Sequence, residues 1–287
     1  MSMTLIYTIA TLSVIGTAAA VILYFVAQKF KVQEDPRIDA VEEALPAANC
    51  GGCGFAGCRA FAEATVRSDN LAELYCPVGG NETMAGVAEI LGLEAVKQDP
   101  RVAFIRCNGT CDHRPKTSNF DGASTCAIES SVYSGESDCQ YGCLGHGDCY
   151  DSCDFDAIDL RANLGVPLII DDKCVACGAC VEACPKDLIE LRKKFPKYRK
   201  VVVACRNEDK GGVARKACSV ACIGCGKCQK ECKFDAITIE NNLAFIDSDK
   251  CKLCRKCPPV CPTNSIQELN FPPRRVKKEE KEECSTA

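Results

Sequence analysis

Three stretches of the chain repeat one cysteine spacing: Cys174-x2-Cys177-x2-Cys180-x3-Cys184-Pro185, Cys222-x2-Cys225-x2-Cys228-x3-Cys232 and Cys251-x2-Cys254-x2-Cys257-x3-Cys261-Pro262. A two-residue gap lets a tight turn aim successive thiolates at different iron atoms of one cube. The longer gap leads into a helix that carries the fourth thiolate to a neighbouring cube. Zinc sites usually take two separated cysteine pairs and have no use for a third cysteine two residues on. The spacing therefore predicts [4Fe–4S] clusters with crossed ligands. On that pattern Cys222, Cys225, Cys228 and Cys261 bind one cluster, and Cys251, Cys254, Cys257 and Cys232 bind its neighbour.

The preceding pair of runs is less regular. Cys174, Cys177, Cys180 and Cys153 form one clear set, but the partner run reads Cys139-x3-Cys143-x5-Cys149-x3-Cys153, with His146 where a third cysteine would stand. Either His146 is a ligand, or Cys139 takes that role with Cys143, Cys149 and Cys184. Thiolate is the usual cluster ligand, so Cys139 is expected, with His146 facing solvent or standing behind the ligands. Asp154 and Lys233 replace the proline after the last cysteine of two runs, which alters backbone rigidity and removes no ligand.

A separate group, Cys50-x2-Cys53-x4-Cys58-x17-Cys76-Pro77, supplies four more thiols. Gly51, Gly52, Gly54 and Gly57 let backbone N–H groups come close to cluster sulfurs. Zinc is a fairer rival here, because four-cysteine zinc sites tolerate unequal spacing. Cys107, Cys111, Cys126, Cys205 and Cys218 remain. They could build a sixth site from Cys107, Cys111 and Cys126 with one of the later pair, or stay as buried free thiols. Five clusters are expected, with material for a sixth.

These thiols need elements to hold them, and the second half of the chain repeats itself accordingly. CDFDAIDL, CPKDLIEL, CKFDAITI and CPTNSIQEL share one form, a cysteine run, a short polar turn and an apolar strand-like end. VPLIIDDKC and LAFIDSDKC are strand-like returns between them. The fold class expected is α+β, in five parts: a membrane anchor over 1–28, a four-cysteine domain over 29–100, a first ferredoxin-like module with extra cysteines over 101–200, a second over 201–270 and a charged, disordered tail over 271–287 carrying Cys284. In the four-cysteine domain, Ile38, Val41 and Leu45 recur at helical spacing, and helices are expected over 59–67 and 81–100.

From Thr4 to Val26 there is no charged residue. As a helix this run is about 35 Å long, enough to cross a hydrocarbon core of about 30 Å. No Lys or Arg precedes it and Val21–Val26 extends it past Ala18–Ala20, so it reads as an uncleaved anchor and not a secretory signal. Lys29, Lys31 and Arg37 follow it, which places the remainder on the cytoplasmic side of a bacterial inner membrane, where thiols stay reduced.

Composition agrees. The chain has 26 cysteines in 287 residues, with 11 Phe, 7 Tyr and no Trp, so metal centres are expected to replace part of an ordinary core. Disulfide frameworks belong to small secreted domains and do not suit a chain of this length. A net charge of −4 argues against a nucleic-acid partner, and the basic run Arg192–Lys200 reads as a solvated face.

LPAANCGGCGFAGC after a single N-terminal apolar helix, followed by ferredoxin-type runs, resembles the B subunit of the Rnf complex, the bacterial ion-translocating ferredoxin:NAD⁺ oxidoreductase. The resemblance extends to about residue 270 and points to the longer form with two ferredoxin-like modules. It implies electron transfer from soluble reduced ferredoxin to other subunits of a membrane complex. The chain carries no glycine-rich dinucleotide fingerprint after a strand and no ionisable residue within the apolar run, so NAD, flavin and ion sites are expected on partners.

Overall fold

The computed structural model describes residues 3–29, 35–160 and 165–274. Lys31 and the expected tail from residue 275 onward, with Cys284, lie outside the described residues. Helix α1 (Met3–Lys29) is one apolar rod. It is long and apolar enough over Ile6–Lys29 to cross a membrane. Two of its hydroxyls are satisfied by its own backbone: Thr11 Oγ1 donates to Tyr7 O at 3.0 Å and Thr17 Oγ1 to Ser13 O at 2.8 Å. Such internal pairing is what hydrocarbon requires of polar groups.

Helices α2 (Pro36–Ala44), α3 (Cys58–Arg67) and α4 (Gly80–Leu91) follow. Asp35 caps α2 by accepting from Arg37 N, and Pro36 takes the first helical position, where a missing N–H costs nothing. The three helices enclose a core of Ile38, Val41, Leu45, Phe61, Leu71, Met84 and Val87. Each large side chain buried there contributes roughly 1.5–3 kcal/mol. The helix expected to run to residue 100 stops at Gly92, whose left-handed φ of 68° ends α4. Beyond it the chain is irregular, and Asn81 pins Gln98 by two side-chain hydrogen bonds to its backbone, of 2.9 and 3.0 Å.

Two four-stranded units succeed this helical part. In the first, β1 (Arg101–Ile105) leads through α5 (Cys126–Val132) and α6 (Asp148–Asp151) to β2 (Ile158–Asp159), β3 (Leu168–Ile169), α7 (Ala179–Glu182) and β4 (Ile189–Lys193). Strands β2 and β3 pair antiparallel, and β1 pairs antiparallel with β4, Arg101 opposite Lys193 and Ile105 opposite Ile189. In the second unit, β5 (Lys200–Val203), α8 (Gly211–Ala217), α9 (Lys227–Glu231), β6 (Ile237–Glu240), β7 (Leu243–Ile246) and β8 (Ile266–Leu269) repeat the plan. Strands β6 and β7 form the inner pair, and β5 pairs with β8 from Lys200 opposite Leu269 to Val203 opposite Ile266.

The four repeats share one turn. Three residues after the last cysteine of each run stand Asp156, Asp187, Asp235 and Asn264, all left-handed, with φ between 49 and 53°. Asp and Asn tolerate this conformation better than other residues with a Cβ, so the chain can leave the thiol and enter the strand directly.

The two units meet through buried cations, where the sequence suggested a solvated basic face. Arg192 and Lys200 are only 5% and 4% exposed. Arg106 and Arg192 stack over Phe245 at 5.3 and 5.2 Å. Arg192 also donates to Ile246 O and stands 3.3 Å from Glu190, while Lys200 pairs with Asp171. Their charges can be buried because each has a carboxylate nearby or an aromatic face beneath it.

Candidate metal centres

Local backbone conformation turns the runs into thiol-lined loops. In each two-residue gap the residue before the second cysteine is left-handed: Ala176 (φ 59°), Gly224 (62°) and Leu253 (55°). The residue after that cysteine is left-handed too: Gly178 (91°), Gly226 (75°) and Arg255 (62°). Two such residues per loop curl the backbone so that three successive thiols face one side.

The consequence is four recesses, each walled by four cysteines. Cys50, Cys53, Cys58 and Cys76 line one at the start of α3. Cys153, Cys174, Cys177 and Cys180 line one in the first strand unit. Cys232, Cys251, Cys254 and Cys257 line one in the second. The fourth recess is walled by Cys126, Cys143, Cys149 and Cys184. Cys222, Cys225 and Cys261 all lie within electrostatic reach of Cys228, so the remaining crossed set is gathered as well.

The fourth recess differs from the sequence expectation at one member: Cys126 stands where Cys139 or His146 was expected. The irregular run keeps its loop shape, with Gly145 and Gly147 left-handed at φ 85° and 98°. His146 does sit in the place of a cysteine, but its Nε2 lies 2.5 Å from Glu129 Oε2, and Glu129 is 1% exposed. The thiol comes from the first turn of α5. Asp148 holds that turn, accepting from Cys126 N at 2.8 Å and Ala127 N at 2.9 Å, a carboxylate at a helix N-terminus. A run that lacks one cysteine needs a thiol from elsewhere, and an unassigned cysteine upstream was the signal available.

Cys139 lies elsewhere. Its sulfur accepts from Asn207 Nδ2 at 3.4 Å, beside Cys205. Cys218 lies within reach of Cys107 and Cys139. Cys111 is exposed, its sulfur close to Gly165.

The thiols suit a polynuclear group better than a single ion. Four thiolates on one zinc at about 2.3 Å would stand about 3.8 Å apart. Among the described residues, no three His, Cys, Asp or Glu side chains converge closely enough to hold one ion. All the described cysteines are free thiols. Burial pushes Cys180, Cys257 and Cys149 up to about 12 and Cys228 up to about 11, with nearby thiols adding to the rise. Buried thiols with raised proton affinity lack a countercharge that iron would supply, and binding it would release their protons. Cys261 is the exception. Burial raises it, but hydrogen bonds with the Ser265 hydroxyl, at 3.2 Å, the backbone N–H and hydroxyl of Thr263 and the backbone N–H of Ser265 outweigh that effect and hold it below the usual thiol value.

Backbone donors are already aimed at several sulfurs. Ala103 N donates to Cys174 Sγ, Leu188 N to Cys184 Sγ, Ala244 N to Cys222 Sγ and Gly79 N to Cys76 Sγ, each at 3.4 Å. Hydrogen bonds of this kind set the potential of an iron–sulfur cluster. The sets also abut one another. A Cβ at Gly52 would lie 2.6 Å from Cys177 O, so the first cysteine loop touches the next set. Cys50 is within electrostatic reach of Cys177, and Cys149 is within reach of Cys180.

Neighbouring four-thiol sets on short antiparallel strand pairs define an iron–sulfur protein of the [4Fe–4S] class. Three family models fall on these segments: "Putative Fe-S cluster" over 45–73, "4Fe-4S binding domain" over 167–190 and "4Fe-4S dicluster domain" over 221–265. The chain is 44% identical to the B subunit of the Na⁺-translocating ferredoxin:NAD⁺ oxidoreductase complex of Acetobacterium woodii, over 90% of this chain and 76% of that protein. It is 41% identical to the B subunit of the proton-translocating ferredoxin:NAD⁺ oxidoreductase complex of Clostridium ljungdahlii, over 93% of each. It is 40% identical to the B subunit of the ion-translocating oxidoreductase complex of Methanosarcina acetivorans, over 93% of this chain and 99% of that protein. The chain belongs to the family of B subunits of ion-translocating ferredoxin:NAD⁺ oxidoreductase complexes.

Proposed function

We propose that the chain is the electron-relay subunit of a membrane-bound, ion-translocating ferredoxin:NAD⁺ oxidoreductase, accepting electrons from reduced ferredoxin and delivering them to partner subunits. The observation that carries this reading is the succession of four-cysteine recesses, the N-terminal one against the first strand unit and the two of that unit side by side. A [4Fe–4S] group, when bound, exchanges one electron at a time.

The residues proposed to hold the groups are Cys50, Cys53, Cys58 and Cys76; Cys153, Cys174, Cys177 and Cys180; Cys126, Cys143, Cys149 and Cys184; Cys222, Cys225, Cys228 and Cys261; and Cys232, Cys251, Cys254 and Cys257. The organisation proposed is an anchor over 1–28, a four-cysteine domain over 29–100 and two tandem ferredoxin-like modules over 101–200 and 201–270. The protein's part is to fix the sulfurs, exclude water from most of them and supply N–H donors that tune potential.

Ferredoxin is placed at the second strand unit. Cys225 and Cys254 are exposed there, and the exposed Lys227, Lys230, Lys233, Lys250, Lys252 and Lys256 stand in the same runs. A basic collar of this kind steers an acidic carrier. The N-terminal helix is read as a single membrane span with the thiol-bearing part in the cytoplasm, on the strength of Lys29 and Arg37 beyond its apolar run. Relatives named for Na⁺ and for proton translocation are almost equally similar to this chain, which supports an ion site on other subunits.

Hydride transfer to NAD⁺ moves two electrons together, so a converter such as a flavin on a partner is required. Anaerobically purified protein lacking residues 1–28 should oxidise reduced ferredoxin and form no NADH. NADH formation by that fragment alone, with no flavin present, would overturn the division of labour.

A further inference from the structure

The outer strand pair of the first unit sends two buried side chains into the second. Arg106 follows β1 and Arg192 stands on β4, and both guanidiniums lie over the ring of Phe245 on β7. Arg192 also donates to Ile246 O, and the next residue of its own strand, Lys193, donates its backbone N–H to Ser248 Oγ at 3.4 Å. That corner leads straight into a thiol set, because Asp247 O accepts from Cys251 N at 3.0 Å. A cation from one unit is thus fixed on the turn that presents Cys251 in the other. Countercharge is scarce there. Glu190 serves both guanidiniums, 3.7 Å from Arg106 and 3.3 Å from Arg192. Asp247 and Asp249 are within electrostatic reach of Arg192, but Asp249 is exposed and Asp247 also faces Lys250 at 3.9 Å. Burial holds both guanidiniums below their ordinary value, although an arginine keeps its proton. Burial raises the Cys251 thiol, and Arg192 opposes that rise.

We propose that Arg192 is a positioning residue for electron entry: its buried charge raises the reduction potential of the cluster held by Cys232, Cys251, Cys254 and Cys257, and Glu190 limits the rise. The inference rests on the iron–sulfur reading of that set. Reduction adds one negative charge to a cluster, and a fixed cation away from water stabilises the reduced form more than the oxidised one. The reaction tuned is a one-electron exchange in which reduced ferredoxin is oxidised and the cluster is reduced, with no bond formed or broken. Cys254 is the exposed member of this set, so the cluster nearest the surface is the one made readier to accept. Because the cation belongs to β4, that potential depends on the first unit being docked against the second.

The test is an EPR-monitored redox titration of full-length protein purified anaerobically in detergent. Cys251→Ala identifies the signal by removing it with about four iron. Arg192→Gln should keep all iron and move the midpoint of that signal to more negative potential, by about ten-fold in its reduction equilibrium, or about 59 mV for one electron. Glu190→Gln, which removes the shared carboxylate and keeps both cations, should move the same midpoint the other way. Arg192→Lys keeps the charge without the planar contact on Phe245 and should stay nearer the wild type than Arg192→Gln does. If Arg192→Gln fails to accumulate, the upward shift in Glu190→Gln decides. An unmoved midpoint in both charge variants would overturn the proposal, as would a lysine variant that falls as far as the glutamine one, since packing and not charge would then be responsible. Equal shifts in every cluster would overturn it too, by marking a general loosening of the fold. Loss of zinc instead of iron in Cys251→Ala would overturn the iron–sulfur reading itself.

Discussion

Cys126 carries the sharpest residue-level test, because its proposed role was invisible in the spacing. Cys126→Ala should remove about four iron, the content of one cube, while Cys139→Ala should leave that cube in place. Loss of that cube in Cys139→Ala, with Cys126→Ala unchanged, would return the ligand to Cys139. His146→Ala should keep all iron and at most shift one potential, because its ring engages Glu129. The regular thiol sets were legible because the spacing that gathers them is local: a few left-handed residues suffice to turn each run into a loop. Cys126 was not legible, since what places it is a carboxylate 22 residues away at Asp148, a tertiary contact with no periodic sign. Asn207 was missed for a related reason. A lone Asn between charged residues reads as surface, and only the fold reveals that its amide serves two sulfurs.

Among the elements, the repeated strand and turn pattern was the most readable part of the chain, and it recurs as the inner pairs β2–β3 and β6–β7. What the pattern did not contain was the outer pairing of β1 with β4 and of β5 with β8, which closes each unit across long stretches of sequence. Helix α4 was expected to run on to residue 100, and Gly92 was the stop signal passed over. The basic run from Arg192 misled because a charge reads as solvated until an aromatic ring and a carboxylate are found beside it, here Phe245 and Glu190. One contact between elements is directly testable. Gly52 has no room for a side chain against Cys177, with its O, Cα and Cβ at 2.6, 2.8 and 2.9 Å from an added Cβ. Gly52→Val should therefore push the first cysteine loop away from the strand unit. Iron content should hold, while the magnetic coupling between the two neighbouring clusters weakens and reduction of the N-terminal one slows. Unchanged coupling together with an unchanged rate would count against direct exchange at this contact.

Along the chain, a candidate membrane helix comes first and the second strand unit later carries exposed lysines in the same runs as exposed Cys225 and Cys254. Those lysines predict a salt-dependent reaction with an acidic carrier. Ferredoxin oxidation should slow as ionic strength rises, and Lys252→Glu with Lys256→Glu should slow it about ten-fold at low salt with iron content unchanged. A rate indifferent to both would move the docking site elsewhere. The touching loops also have a bearing on how the molecule is made. Cys177 forms a wall of one recess and at the same time the surface against which Gly52 closes. A scaffold protein delivering a preformed cube would reach that recess more readily before Gly52 has closed on Cys177. Biogenesis should therefore run as a zipper, in which each insertion completes the seat for the next, and a cell starved of iron should accumulate chains that are open to proteases at the seams between sites.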